Sequence, residues 1–326
     1  MVQNDAETLM SEASRLLEEY EPEKALKIGK QLEKMRFSGA FEIQALAYAD
    51  LDKKKKAIQV LEKGVKKAPD VWLLWQLLGN YYSDEGDLKK ALTAFEKGLQ
   101  TKQPDNVSLK YNYAIALQRQ KKFKKAQGLI SEILSDERYP DDIEEGLFLY
   151  IQGLRLSLLN DLKQYEETLK LFAELESIIS QHENSQPSEL SRIFDEVATA
   201  HWNLKNKDRS EAYLKKSIEY DKKNTSAQWL HREMHKEEDY SHAKYFRLII
   251  EGIWHTPFEG ETNLPGFFTN YDVIANDEEE ALEIIKYFEP PEIHYSLKIA
   301  DSEILKAPKQ PKGVYGTMSY NFFPSE

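Results

Sequence analysis

The sequence predicts a mostly helical protein, in which an array of stacked helix pairs is followed by a small α+β domain. Small residues recur every 32 to 35 positions along the first part of the 326-residue chain. They fall at matching places on the two helices of each predicted pair: Ala13 and Ala25, Ala45 and Ala57, Gly79 and Ala91, Ala114 and Ala126. Small residues at such places let neighbouring helices approach closely, which is how helix pairs stack into a solenoid. After about residue 240, β-branched and aromatic stretches predict strands instead.

The composition favours an acidic protein of the cytoplasm. The formal net charge is −12, which disfavours bulk attraction to nucleic acid or to an anionic membrane. The chain holds no cysteine, so disulfide bonds, thiol catalysis and cysteine-ligated metals are excluded. The first residues show neither a basic cluster nor an apolar stretch, and no run is long and apolar enough to span a bilayer. We therefore expect a cytoplasmic location.

The clearest helix pair covers residues 72 to about 105. Its signature residues are Trp75, Leu78, Gly79, Tyr82, Ala91, Phe95, Gly98 and Pro104, and Gly86 supplies a left-handed residue in the turn. This arrangement closely resembles the tetratricopeptide repeat, whose pattern is W-x2-L-G-x2-Y, then A-x3-F, then P, although Pro104 comes one residue late. The resemblance implies that the pairs wind into a right-handed superhelix.

The same pattern extends more loosely over residues 1–236. The predicted pairs cover residues 6–37, 38–69, 72–105, 107–140, 141–182 and 188–222. In the pair at 141–182, the first helix is predicted to be about one turn longer than in the others. A lone helix at 225–236 would cover the exposed end of the array, as terminal units usually must. We therefore predict about six pairs and a capping helix, followed by a second domain at 237–326.

In the family that these repeats resemble, the first helix of each pair lines a concave groove. Aligning the pairs predicts that this face carries Glu42, Leu46, Gln76, Asn80, Tyr111, Asn112, Ile115, Tyr150 and His201. Amides, tyrosines and aliphatic side chains suit an extended peptide, whose backbone needs hydrogen-bond partners and whose side chains need pockets. The alternative for any single member is that it packs the bend between helices or faces water.

The turns inside the helix pairs are unusually rich in lysine. The clusters are Lys53, Lys54, Lys55 and Lys56, then Lys89 and Lys90, then Lys121, Lys122, Lys124 and Lys125. Stacking in register predicts that they line one edge of the array, the basic edge. Such an edge can attract an acidic protein segment or a nucleic acid backbone. We favour the simpler interpretation, in which the lysines keep the turns solvated, because only Phe123 provides an aromatic ring among them.

The C-terminal domain is predicted to be a β-β-α-β module with an irregular aromatic tail. Strands are predicted at 245–254, 266–275 and 293–305, in a mixed sheet with one helix on its face. Asp277 and Glu280 have the spacing of a capping box at the start of that helix. The tail, 313–324, is either a final strand or a segment that lies in the groove. Residues 240–326 hold 7 Lys and Arg against 14 Asp and Glu, which would allow docking against the basic edge.

The sequence contains no nucleotide-binding glycine loop and no nucleophile elbow, so we predict a protein that is not an enzyme and needs no cofactor. His231 and His235 share a helix face near Asp239 and His242, but the spacing fixes no third metal ligand. The leading hypothesis is a scaffold that binds a protein or peptide, not nucleic acid or a membrane. The alternative is a dedicated neutraliser of one partner, acting through the acidic module. An enzyme with His294, Asp272 and Tyr295 at its site is the weakest option.

Overall fold

The fold was taken from a computed structural model, which describes residues 2–101, 107–136, 145–182, 186–236, 242–306 and 310–324. Pro104, Pro140 and Asp239, all used in the sequence arguments, lie outside the described residues. The chain forms two compact units, Met1–Ile151 and Gln152–Glu326, which we call the N-terminal and the C-terminal unit. Each is described by itself.

The N-terminal unit contains four helix pairs and the start of a fifth. The pairs are α1 (Val2–Glu18) with α2 (Pro22–Lys34), α3 (Ala40–Asp50) with α4 (Lys54–Lys67), α5 (Trp72–Asp84) with α6 (Leu88–Leu99), and α7 (Val107–Arg119) with α8 (Phe123–Leu134). Helix α9 (Glu145–Asp161) crosses the boundary between the units. From α1 to α8 each helix packs on the next, and α5 also contacts the neighbouring first helices α3 and α7. This is the arrangement expected of stacked repeats.

The recurring small residues lie where the helices touch. Ala45, Ala57, Ala91 and Ala114 are all fully buried. At Gly79 the neighbouring helix comes so close that an added Cβ would sit 2.5 Å from Cε1 of Phe95. The predicted close approach of the two helices in a pair is therefore present at the pair that fits the repeat pattern best.

One residue in each turn between paired helices adopts a left-handed backbone. Gly86 does so with φ of 81°, as its place in the pattern predicts. The corresponding residues of the other pairs are not glycines, although their φ angles are also positive: Tyr20, Asp52, Lys121, Lys163 and Lys205. A left-handed conformation costs an ordinary residue roughly 1–2 kcal/mol, so the stacking of the helices imposes this turn against local preference.

The C-terminal unit continues the helices and ends in a five-stranded antiparallel sheet. Its helices are α10 (Tyr165–Ile179), α11 (Pro187–Asn203), α12 (Lys207–Tyr220), α13 (Thr225–Met234) and α14 (Glu278–Lys286). Its strands are β1 (Lys244–Ile253), β2 (Gly266–Ala275), β3 (Lys298–Leu305), β4 (Gly313–Thr317) and β5 (Asn321–Phe323). The strand order is β3-β1-β2-β4, and β5 also pairs with β2. Six helix pairs, a lone helix and a small α+β region therefore follow one another as predicted.

The inner face of the sheet shares one core with the last repeat helices. Phe246 of β1 and Tyr271 of β2 are buried in the same cluster as Leu214 of α12 and Leu230 of α13. This explains why α10 to α13 fall in the same compact unit as the strands, although the repeat pattern itself ends near residue 236. The division at residue 236 stays a prediction of where the repeats end.

Two details of the module differ from the prediction. Pro291–Ser296 forms a 3-10 turn, so the strand predicted from residue 293 begins only at Lys298. The sheet is antiparallel throughout rather than mixed. The described residues of the tail follow the strand alternative, since they form β4 and β5, which pair with β2. The cap of α14 is present: the Asp277 side chain accepts a hydrogen bond from the Glu280 backbone N–H at 2.9 Å.

Candidate partner-binding surface

The first helices α3, α5 and α7 are nearly enclosed by their neighbours. The structure describes α3, α5 and α7 in full. In each of them only the last residue is well exposed to solvent: Asp50, Asp84 and Arg119. The second helices α4, α6 and α8 instead expose many lysines along their outer faces. A helix that is apolar on most sides must be covered on most sides, which explains this difference.

A narrow strip along these first helices is partly open to solvent. It consists of six of the nine residues predicted for the groove, which we call the first-helix strip: Glu42, Leu46, Gln76, Asn80, Asn112 and Ile115. Within each helix the members lie three or four positions apart and therefore share one face. The strip offers amide and aliphatic side chains with a single carboxylate. Burial raises the pKa of that carboxyl, Glu42.

One polar side chain of the strip lacks a hydrogen-bond partner, and a tyrosine beside the strip lies close to two carboxylates. The side-chain Oε1 of Gln76 is shielded from water and has no hydrogen-bond partner among the residues that the structure describes. A buried acceptor of that kind costs about 1–3 kcal/mol. Next to the strip, burial first, and then the carboxylates of Asp50 and Asp84, raise the pKa of Tyr81. The surface around Tyr81, beside the strip, is therefore acidic and aromatic.

The other three predicted groove residues do not join the strip. Tyr111 is only 7% exposed, and its ring packs edge-on against Tyr150 with 6.4 Å between the centroids. Tyr150 itself is 43% exposed, at the end of the N-terminal unit. His201 belongs to the C-terminal unit, where it is 5% exposed and stacks on Tyr213. Burial lowers the pKa of His201, as does the nearby Arg209. Tyr111 and His201 therefore act in packing rather than as open groove residues.

All ten lysines of the predicted basic edge are exposed. Most lie in the first turn of α4, α6 or α8, where the helix dipole disfavours a cation. Two of them have carboxylate partners: Lys90 pairs with Asp87 at 2.9 Å and Lys125 with Glu96 at 3.2 Å. These residues are thus solvated, as the simpler interpretation requires, but their positions do not favour helix stability.

The C-terminal unit contains a buried charged network that sequence reasoning missed. Lys222 Nζ lies 2.8 Å from Glu289 Oε1, and both side chains are nearly or fully buried. Tyr271 donates a hydrogen bond to the same carboxylate at 2.6 Å, and Tyr320 donates another. The Lys222 ammonium also lies 3.5 Å from the centroid of the Tyr320 ring. Lys222, Glu289 and Tyr320 border a cavity of about 590 Å³.

No sequence signal pointed to this network, because Lys222 and Glu289 are 67 positions apart and each stands in an ordinary turn or helix end. Burial lowers the pKa of Lys222, while the Glu289 carboxylate opposes that effect. Burial and the same carboxylate raise the pKa of Tyr271 and of Tyr320. Every polar group in the network has a partner, so we interpret the network as one that stabilises the sheet.

The remaining candidate residues do not assemble into a catalytic or metal site. Asp272 pairs with Arg247 at 2.9 Å, and His294 Nε2 lies 2.9 Å from the backbone oxygen of Glu289. Tyr295 is 73% exposed. His231 is buried beside His235, and burial followed by the charge of His235 lowers its pKa to about 3. Within the described ranges, no three His, Asp or Glu side chains are arranged to hold a metal ion.

Two segments of the chain, residues 74–104 and 192–224, match the family model of the tetratricopeptide repeat. The fold is similar to that of a tetratricopeptide repeat protein from Parabacteroides merdae, at 12% identity over 71% of this chain and 86% of that one, with a TM-score of 0.56. It is also similar to PilF of Pseudomonas aeruginosa, at 11% identity over 71% and 99%, with a TM-score of 0.56. No curated protein matches the chain.

A third similar structure, the Cut9–Hcn1 hetero-tetramer of APC/C, shares 11% identity over 68% of this chain and 41% of that one, with a TM-score of 0.53. The segments 74–104 and 192–224 therefore match the tetratricopeptide repeat, and the helix pairs as a whole share the fold of solved proteins of that kind; a small antiparallel sheet follows them. Such repeats generally serve in non-catalytic protein–protein interaction, through the extended surfaces that stacked units create. No helix among the described residues is long and apolar enough to cross a membrane.

Proposed function

We propose that this protein is a non-enzymatic scaffold that binds a peptide or helix of a partner protein on the first-helix strip. The observation that carries the proposal is the contrast between the two helices of the second, third and fourth pairs. The first helices carry the first-helix strip, a partly open face of amide and aliphatic side chains that includes Asn80, Asn112 and Ile115, whereas the second helices expose many charged side chains. Amides can bond a peptide backbone and aliphatic residues can contact its side chains.

Two features of the strip support a peptide rather than a small polar ligand. The unpaired Oε1 of Gln76 is an acceptor that a peptide N–H would satisfy once the side chain turns outward. Asp50 and Asp84 flank Tyr81 beside the strip and would favour a basic residue of the peptide there. The net charge of −12 favours a protein partner over a nucleic acid. We expect this activity in the cytoplasm.

The test uses peptides selected from a random phage-displayed library on the full chain and then measured by fluorescence polarisation. We expect Asn112→Arg to lower the affinity tenfold or more, about 1.4 kcal/mol, because the larger cation blocks the strip. The matched control is Ser131→Arg, an exposed position on the second helix of the same pair, and it should change the affinity less than twofold. Equal losses in the two variants would contradict the proposal.

The alternative function, a neutraliser that acts through the acidic C-terminal module, stays a prediction. Under this alternative, the partner protein would keep its affinity for the Asn112→Arg variant. Its binding would also weaken steeply with added salt, because exposed charges are screened. Docking of the module against the basic edge of the same chain also stays a prediction.

A further inference from the structure

A second surface of the N-terminal unit lies between the neighbouring second helices α4 and α6. There the two helices leave an open cleft of about 690 Å³, whose floor is formed by α5. That volume is in the range of pockets that bind a ligand or a short peptide. The residues of the first-helix strip do not border this cleft, so the two surfaces are distinct.

The floor of the cleft is aromatic and firmly held. Trp75 and Tyr82 are both partly exposed there, with Leu78 beneath them. The Trp75 indole N–H donates to the backbone oxygen of Pro69 at 2.8 Å, and the Tyr82 hydroxyl donates to Glu62. These hydrogen bonds hold both rings in place, and each ring is partly exposed to solvent in the cleft.

The walls of the cleft are basic. Four lysines border it, against the single carboxylate of Glu62: Lys66, Lys89, Lys90 and Lys97. Lys97 Nζ lies 5.0 Å from the centroid of the Trp75 ring, and Lys90 Nζ lies 5.2 Å from that of Tyr82. Lys90 pairs with Asp87. Across the described part of the chain, no carboxylate lies within ion-pairing distance of Lys66, Lys89 or Lys97.

We propose that this cleft binds an acidic peptide segment of a partner protein that carries one bulky apolar side chain. The apolar side chain would contact the Trp75 ring and Leu78, and flanking carboxylates would pair with Lys66, Lys89 and Lys97. Charge complementarity selects such a partner, because four ammonium groups and one carboxylate surround the aromatic floor on a chain of net charge −12.

The site can be tested with a fluorescein-labelled decapeptide in which four glutamates flank a central Leu-Phe on each side. Its binding to the full chain is measured by fluorescence polarisation in about 0.15 M salt. At that ionic strength, exposed charges that are far apart are largely screened. We expect the double variant Lys66→Glu/Lys97→Glu to lower the affinity at least tenfold. Thr93→Glu, which adds a carboxylate at an exposed position of the α6 wall, should lower it at least threefold.

The matched control is Lys27→Glu/Lys30→Glu, because these two exposed lysines on α2 give the same change of charge on another second helix. It should alter the affinity less than twofold. The proposal fails if the decapeptide shows no saturable binding up to millimolar concentration, or if the cleft and control variants lose equal affinity. It also fails if a peptide with Ser-Ser in place of Leu-Phe binds as well. Circular dichroism confirms that each variant keeps its helical content.

Discussion

Asp195 shows how a single buried carboxyl couples the fold to pH. It lies on α11 and is 3% exposed, and its Oδ1 has no hydrogen-bond partner among the described residues. Burial raises the pKa of Asp195 to about 7, with a smaller contribution from Glu196, while a hydrogen bond with Ser226 opposes the rise. The folded protein therefore holds this proton at a pH where the unfolded chain has released it.

The sign of the pH effect follows from that difference. A carboxyl whose folded pKa is raised contributes stability that is fully present below its unfolded pKa, near 4, and is lost as the pH rises through about 7. Between pH 5.5 and 8, we expect the wild type to lose about 2 kcal/mol more unfolding free energy than Asp195→Asn, which holds no titrating proton there. Urea unfolding at a series of pH values, followed by intrinsic fluorescence, measures this difference in unfolding free energy.

A matched control is Asp301→Asn, an exposed position on β3 of the same unit, which should keep the pH dependence of the wild type. Burial likewise raises the pKa of Glu189 to about 7, so part of the dependence will remain in Asp195→Asn. His231 acts with the opposite sign, because its lowered pKa removes stability as the pH falls below about 6.5. A pH dependence that is identical in Asp195→Asn and the wild type would contradict the assignment.

At the scale of the helix pair, the spacing of small residues makes a prediction about packing. Gly79→Ala should destabilise the N-terminal unit by about 1–3 kcal/mol, since the new methyl would overlap the buried ring of Phe95. Gly128→Ala is the control, because Gly128 also lies inside a helix, α8, but has no atom within 4 Å of an added Cβ. There we expect stabilisation by about 0.5–1 kcal/mol, the ordinary gain of alanine over glycine in a helix.

Thermal or urea unfolding of both variants, followed by circular dichroism, gives the two free-energy changes. Opposite signs are the expected result. If both substitutions stabilise the unit, the helices of the third pair do not approach as closely at Gly79 as the contact with Phe95 requires.

The repeating elements were predictable because each unit of 32 to 35 residues carries the same local pattern of small and apolar residues. The bounds of β1 and β2 were also predicted to within one residue, since each is a long apolar stretch. The predicted strand from residue 293 failed because Ile293, Tyr295 and Leu297 alternate as a strand would, while Pro290 and Pro291 impose a 3-10 turn. The strands β4 and β5 depend on pairing with β2, some forty or more residues away, and local pattern carries no record of that partner.

The candidate surfaces were predicted only in part, because helical periodicity shows which residues share one face of a helix but not which residues of different repeats meet. Helical periodicity placed Gln76 and Asn80 on one face of α5, and their partial exposure agrees with that. It did not reveal that Tyr150 covers Tyr111, because that contact joins two different repeats. The cleft between α4 and α6 was missed for a related reason: Trp75 and Tyr82 belong to the repeat pattern, which accounts for them by packing alone.

At the scale of the whole molecule, each compact unit contains hydrophobic clusters of its own among the described residues. One large cluster, which unites α11 to α13 with the sheet, lies entirely in the C-terminal unit. Clusters centred on residues such as Leu61 and Leu32 lie in the N-terminal unit. Units with their own cores can lose structure independently, and the network of Lys222 and Glu289 offers a way to weaken only one of them.

Glu289→Gln should destabilise the C-terminal unit by about 3–5 kcal/mol, because it leaves the Lys222 ammonium buried without its carboxylate partner. Hydrogen exchange with mass spectrometry should then show faster exchange in β1, β2 and α14, while α3 to α8 keep the protection of the wild type. Glu96→Gln is the control: its pair with Lys125 is exposed, so the exchange should change little in either unit. Loss of protection in α3 to α8 of Glu289→Gln would mean that the repeats fold as one cooperative array through both units, and a partner bound to the N-terminal surfaces would then stabilise the sheet as well.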